Sequence, residues 1–175
     1  MKAAAIVLSL VIAGPTNAAD PQDEPITVSI AVPVHHQYRS LNDGDHFHIL
    51  VKNVSDKPVR LWTDRFSWGY DNLSFELIGD DGTITTIQRT PRSWTKNFPD
   101  WLEVAPGECW VIDVNWFTAK VKDIWEKAAD RPESSPKPKL VKLRAVYEVH
   151  PDAESKKLGV WTGKVLSPVG TYAIW

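Results

Sequence analysis

Cysteine is almost absent from this 175-residue sequence: Cys109 stands alone. No disulfide can close within the chain and no Cys-x-x-Cys redox or zinc pair exists, so the fold must rest on its own core. An excess of charge of one sign is missing too. Lys and Arg number 20 against 22 Asp and Glu, a formal net charge of −2. That balance excludes the concentrated basic field of a nucleic-acid surface. Gly-x-Ser-x-Gly, His-Glu-x-x-His and Gly-rich phosphate loops are all lacking, and with them the common hydrolase, metalloprotease and nucleotide-binding signatures. The chain shows no internal repeat, and nothing in it implies a cofactor.

Long apolar runs are missing as well, with one exception. Lys2 precedes an apolar run from Ala3 to Ala13 that only Ser9 interrupts, Gly14-Pro15 ends it, and Thr16-Asn17-Ala18 follows with small residues. Charge, apolar run and small-residue site in that order form a secretory signal peptide, too short to span a bilayer. Residues 1–18 are therefore expected to be removed, with cleavage after Ala19 as the alternative. Residues 19–175 form one domain, secreted or periplasmic, with no membrane span after cleavage.

What the chain does have is alternation. In ITVSIAV, Ile26, Val28, Ile30 and Val32 share one face. In HFHILVKNV, Phe47, Ile49 and Val51 oppose His46, His48 and Lys52. A period of two marks a half-buried strand. LSFEL and TITTIQR, joined by GDDG, read as a hairpin. CWVIDVNW offers Trp110, Ile112, Val114 and Trp116 to a core, and LVKLRAVYEV, GVWTGKVLS and TYAIW supply the last strands. Gly, Pro, Asn and Asp turns separate these segments. One stretch differs: residues 118–131 show helical spacing through Val121, Ile124, Trp125 and Ala128, and a Pro-rich connector, 132–139, follows. The sum is a mainly β, antiparallel, immunoglobulin-like β-sandwich with one short helical insertion. Tyr147 is placed to bond back to the corner that precedes its strand.

Two groups of residues invite a functional reading. Four of the five histidines fall in HHQYRSLNDGDHFH, residues 35–48. His46 and His48 share an outward face, and His35 could join them as nitrogen ligands for Zn²⁺ or Cu²⁺. Solvated imidazoles without tight metal binding are the expectation. The second group lies in WTDRFSWGYDN and RTPRSWTKNFPDW, where Trp68, Tyr70, Trp94 and Trp101 could grip a glycan or a peptide. Most rings in those loops are expected to plug the end of the sandwich, with Trp68 and Trp94 as the exposed pair. Cys109 reads as a buried, inert thiol, and Asp80-Asp81 as turn residues. Asn53-Val54-Ser55 and Asn72-Leu73-Ser74 fit the glycosylation pattern.

The run HILVKNVSDKPVRLW…LSFELIGDDGTITTI…VAPGECWVIDVNW, residues 47–116, resembles the bacterial intracellular proteinase inhibitor (BsuPI-like) family and other bacterial immunoglobulin-like sandwiches. The resemblance rests on an apolar strand entering Asn-x-Ser-x-x-Pro, a strand into Asp-x-Gly, and a Pro-Gly-Glu turn before an alternating strand. It implies the sandwich fold. The export signal, the helical insertion and GVWTGKVLSP depart from it, the last resembling an ending found in bacterial secreted proteins. The functional expectation is a non-enzymatic binding module for an extracytoplasmic protein or glycan, with protease inhibition, carbohydrate binding and surface metal binding as alternatives. N-terminal sequencing of exported material should begin at residue 19 or 20, and a start at Met1 would overturn the leader assignment.

Overall fold

A computed structural model describes residues 24–41, 46–116, 125–126 and 137–175. The expected leader and most of the expected helical insertion lie outside these residues. The chain starts with β1 (Ile26–Ala31), in which Ile26, Val28 and Ile30 are buried and Thr27 and Ser29 exposed. A small ribbon of β2 (Val34–His35) and β3 (Tyr38–Arg39) follows, then β4 (Phe47–Asn53) and β5 (Val59–Trp62). A single helical turn, α1 (Ser67–Tyr70), leads into β6 (Leu73–Ile78) and β7 (Ile84–Arg89). After β8 (Trp101–Val104) and β9 (Cys109–Val114) come β10 (Trp125–Glu126) and the long β11 (Lys139–Val149). The chain closes with α2 (Ala153–Leu158), β12 (Gly163–Leu166) and β13 (Gly170–Ile174).

These strands form an antiparallel β-sandwich. One sheet has the order β1-β4-β9. The other runs β10-β7-β6-β11, with β12 and β13 both on the far side of β11; β5 and β8 pair as a separate ribbon. The mainly β, antiparallel sandwich is the fold class expected from the strand pattern. The last strand is split. Leu166 pairs with Val146 and Gly170 with Leu143, so one extra residue is accommodated around Pro168. Ser167 repairs the ladder there: its backbone N–H donates to the Ala145 carbonyl, and its hydroxyl accepts from the Ala145 N–H at 2.8 Å.

The inward faces of both sheets share one core. At its centre four rings meet edge to face across the two sheets. Phe47 lies 5.0 Å from Trp116, Phe75 4.9 Å from Trp116, and Phe75 5.2 Å from Trp125, measured between ring centres. Asn53, at the end of β4, is fully buried. Its amide donates to the Lys57 and Val104 carbonyls while its Oδ1 accepts from the Ser55 N–H and hydroxyl. The glycosylation pattern at Asn53 is thus occupied by structure. The β6–β7 turn has Gly82 at φ +82, and Asp81 accepts from the Thr83 N–H at 2.9 Å; the Thr83 side chain first, and then this N–H, hold the Asp81 carboxyl below its usual value.

Four expectations need correction. Trp110 points inward, paired with Val51, but is only half-buried, because it closes the end of the sheet edge-on to Tyr147. Cys109 is exposed, since it points outward from β9, the edge strand of its sheet among the described residues. Tyr147 makes no corner. It sits near the far end of the eleven-residue β11, where its buried hydroxyl and the Asn72 amide approach without a well-formed hydrogen bond. Burial raises that phenol strongly. Of residues 118–131 the structure describes only Trp125 and Glu126, and these form a strand paired with Arg89 and Gln88 rather than a helix. A ladder partner and a buried ring outweigh helical spacing there.

Replacing Trp116 by Ala should cost about 3–5 kcal/mol of stability in urea unfolding, as removal of a large core ring does. Trp110→Ala should cost clearly less, and equal losses would contradict the burial difference between them.

Candidate functional site

The ladders place the start of β6, the end of β7, the end of β11 and the start of β12 at one end of the sandwich. Tyr147 pairs with Leu73, Val149 with Gly163, and Phe75 with Ile87. Three connections leave this end: residues 54–72 with β5 and α1, residues 90–100 leading to β8, and residues 150–162 with α2. They are fastened to one another. The Trp161 N–H donates to the Arg60 carbonyl, and Arg60 Nη1 donates to the Leu158 carbonyl at 2.8 Å. α2 starts from a reciprocal cap between Asp152 and Ser155 and stops at Gly159, φ +66.

Arg89 anchors the aromatic part of this end. It is the last residue of β7, 8 % exposed, and donates through Nη2 to Asp64 Oδ2 at 2.8 Å and through Nη1 to the Tyr70 carbonyl at 3.1 Å. Its guanidinium also lies 4.9 Å from the Tyr70 ring centre and 5.3 Å from that of Trp125. A charge withdrawn this far from water is tolerable because a carboxylate, a carbonyl and two ring faces surround it.

Outside that anchor lies an aromatic patch. Trp94 packs edge-on to Tyr70 at 5.4 Å, Phe66 lies 6.4 Å from Trp94 and 6.0 Å from Phe98, and Arg92 covers Trp94 at 4.4 Å. Side chains hold the irregular segment that carries it. Asn97 accepts from the Ser67 N–H and donates to the Ser67 hydroxyl at 2.7 Å. Asp100 accepts from the Thr63 hydroxyl at 2.6 Å and from Arg65 at 2.7 Å. Along this segment Arg92, Lys96 and Phe98 face solvent, and Phe98 is 60 % exposed.

Of the four aromatic candidates, the structure brings Tyr70 and Trp94 together. Tyr70 is buried beneath Trp94. Trp68 is half-buried and packs on Trp62 at 6.1 Å, against the core. Trp101 lies on β8 under Arg60, 4.3 Å from its ring centre, in a separate ribbon. The expected exposed pair of Trp68 and Trp94 does not form. Phe66, Phe98, Arg89 and Arg92 belong to the patch and were not singled out.

The histidines divide. His46 and His48 stand side by side on the outward face, ring centres 5.4 Å apart, and His48 Nδ1 contacts Asp113 Oδ1 at 2.7 Å. His35 pairs with Tyr38 in the β2–β3 ribbon; its side chain lies outside the described residues. His36 packs edge-on to Trp175 at the end of the other sheet. Among the described residues no group of three or more His, Cys, Asp or Glu side chains converges as metal ligands. Cys109 is four residues from Asp113 along β9, about 13 Å. His48, paired with Asp113, therefore cannot serve that thiol as a base.

At the opposite end, a groove of about 450 Å³ lies between the β6–β7 turn and β11, lined by Leu77, Ile78, Thr83 and Leu140. Lys142 and Asp80 pair beside it at 3.0 Å. Among the described residues no helix is long and apolar enough to cross a membrane. No protein-family model matches the chain, and no curated protein matches it.

Asp64→Ala would leave the Arg89 guanidinium buried without its carboxylate. The expected loss is about 2–4 kcal/mol in urea unfolding, and a loss under roughly 0.5 kcal/mol would show that Asp64 is not the counter-ion.

Proposed function

We propose that the protein is an exported, non-enzymatic binding module that uses the loop end of the sandwich as its recognition surface. The observation that supports this most directly is the patch of Phe66, Trp94, Phe98 and Arg92. Its rings are held by side-chain hydrogen bonds and backed by the buried Arg89–Asp64 pair, yet Phe98 remains open to solvent. Rigid rings bind at small entropic cost, and a flanking cation adds direction toward polar or acidic groups. In immunoglobulin-like sandwiches this end, where the B–C and F–G connections meet, is also where variable loops bind ligands; that is support by analogy of architecture. The occupant fitting such a surface is an extracytoplasmic peptide or glycan. The export half of the reading rests on the sequence of residues 1–18.

A second reading has its own observation. Residues 90–100 run exposed and without ladder partners, fastened at Asn97 and Asp100. An exposed segment pinned by side chains suits a protease cleft, and Arg92 or Lys96 would be the residue presented.

Titrating peptide and glycan libraries while following tryptophan fluorescence tests both. Binding should change Trp94 emission and fall at least tenfold in Phe98→Ala, whose melting temperature should match the parent. A ligand bound equally well by Phe98→Ala and Arg92→Ala would overturn the assignment. Inhibition of a trypsin-like protease lost in Arg92→Ala or Lys96→Ala would select the second reading.

A further inference from the structure

We infer that His46 and His48 form a two-histidine site for a divalent transition metal, Zn²⁺ in the first instance, with Asp113 as the positioning residue. This site is independent of the loop end. His46 directly precedes β4 and His48 lies within it, two residues on, so both imidazoles leave the same outward face. Their ring centres are 5.4 Å apart. A Zn²⁺ ion about 2.1 Å from one nitrogen of each ring lies roughly 3.2 Å from each ring centre, and a tetrahedral angle then sets the two centres roughly 5.2 Å apart. The observed spacing matches that without movement of the backbone.

Asp113 provides the second part. It is the register partner of His48 across the β4–β9 ladder, and its Oδ1 lies 2.7 Å from His48 Nδ1. An ionised carboxylate has no proton to give, so Nδ1–H donates and Nε2 keeps its lone pair for an ion. A carboxylate behind a ligating imidazole is the usual outer-shell arrangement, fixing ring orientation and raising ligand basicity. On the other side of His48 the partner residue on β1 is Ala31, whose methyl leaves the approach open. Among the described residues, the amine and thiol of this face, Lys52 and Cys109, pair with each other four residues along, about 13 Å away. Neither can ligate the same ion, and among the described residues no third His, Cys, Asp or Glu side chain converges on it. The site is therefore open and exchangeable, with an affinity in the micromolar range rather than that of a closed structural zinc centre.

Isothermal titration of the purified protein with Zn²⁺ tests this. One ion per chain should bind with micromolar affinity. Imidazole NMR signals of His46 and His48 should shift while those of His150, whose side chain is 85 % exposed, stay in place. His46→Ala and His48→Ala should each weaken binding at least tenfold, and Asp113→Ala by tenfold to a hundredfold. All three positions face outward, so unchanged melting temperatures should accompany these losses. Absence of binding at millimolar Zn²⁺ would overturn the site, as would binding that survives the double variant. A loss in His35→Ala as large as in His46→Ala would overturn the two-histidine assignment.

Discussion

Everything in this molecule depends on a ring stack that ties one sheet to the other without a covalent bond. Phe47 and Trp116 come from the β1-β4-β9 sheet and its exit, Phe75 and Trp125 from the sheet built around β6 and β11, and each neighbouring pair meets edge to face. The positive ring edges lie on negative faces, a geometry worth about 0.5–1.5 kcal/mol per pair beyond burial. Antibody domains set a tryptophan against an inter-sheet disulfide at this place. With only one cysteine in the chain, apolar area and ring geometry must supply that cross-link.

The same stack reaches the surface. Trp125 touches Phe75 on one side and the Arg89 guanidinium on the other. Arg89 holds Asp64 and the Tyr70 carbonyl, Tyr70 meets Trp94, Trp94 meets Phe66, and Phe66 meets Phe98. A continuous line of contact therefore runs from the middle of the core to the most exposed large ring of the loop end. This explains how a segment without ladder partners keeps a defined shape: its reference is the core itself, through a buried cation.

The strands were legible because burial on one face writes alternation into the chain. β1, β4, β6, β9 and β11 show it plainly, and the β6–β7 turn shows Asp and Gly where the geometry needs them. β8 was hidden. Burial alternates along Trp101, Leu102, Glu103 and Val104, but the exposed face opens with a tryptophan, so the residue types show three apolar residues in four rather than a period of two. α2 also carries a local signal, since Asp152, Ser155 and Gly159 spell a cap at each end. Trp125 misled for a physical reason: apolar residues at helical spacing are also what two separate inward-pointing side chains produce. The aromatic loops defeat sequence reasoning more deeply. Nothing local distinguishes Trp68, which packs on the core, from Phe98, which faces water, because the difference is made by partners distant in the chain. The outward direction of His46 and His48 could be read from Phe47, Ile49 and Val51 facing inward. Asp113 could not, because only the β4–β9 register places it.

The two candidate surfaces also rest on different kinds of support, and this separates what each can do. At the loop end the fastenings are side chain to side chain or to a carbonyl: Asn97 with Ser67, Asp100 with Thr63 and Arg65, Arg60 with Leu158. Such bonds can be exchanged residue by residue without touching a ladder, so this end can change its recognition chemistry while the sheets stay as they are. His48 and Asp113 instead are held by backbone pairing on a central strand and its neighbour. Breaking the His48–Asp113 register would require slipping β4, which would turn Phe47, Ile49 and Val51 out of the core. The fold thus holds the His48–Asp113 register as firmly as it holds its own core, while leaving the aromatic end free to vary.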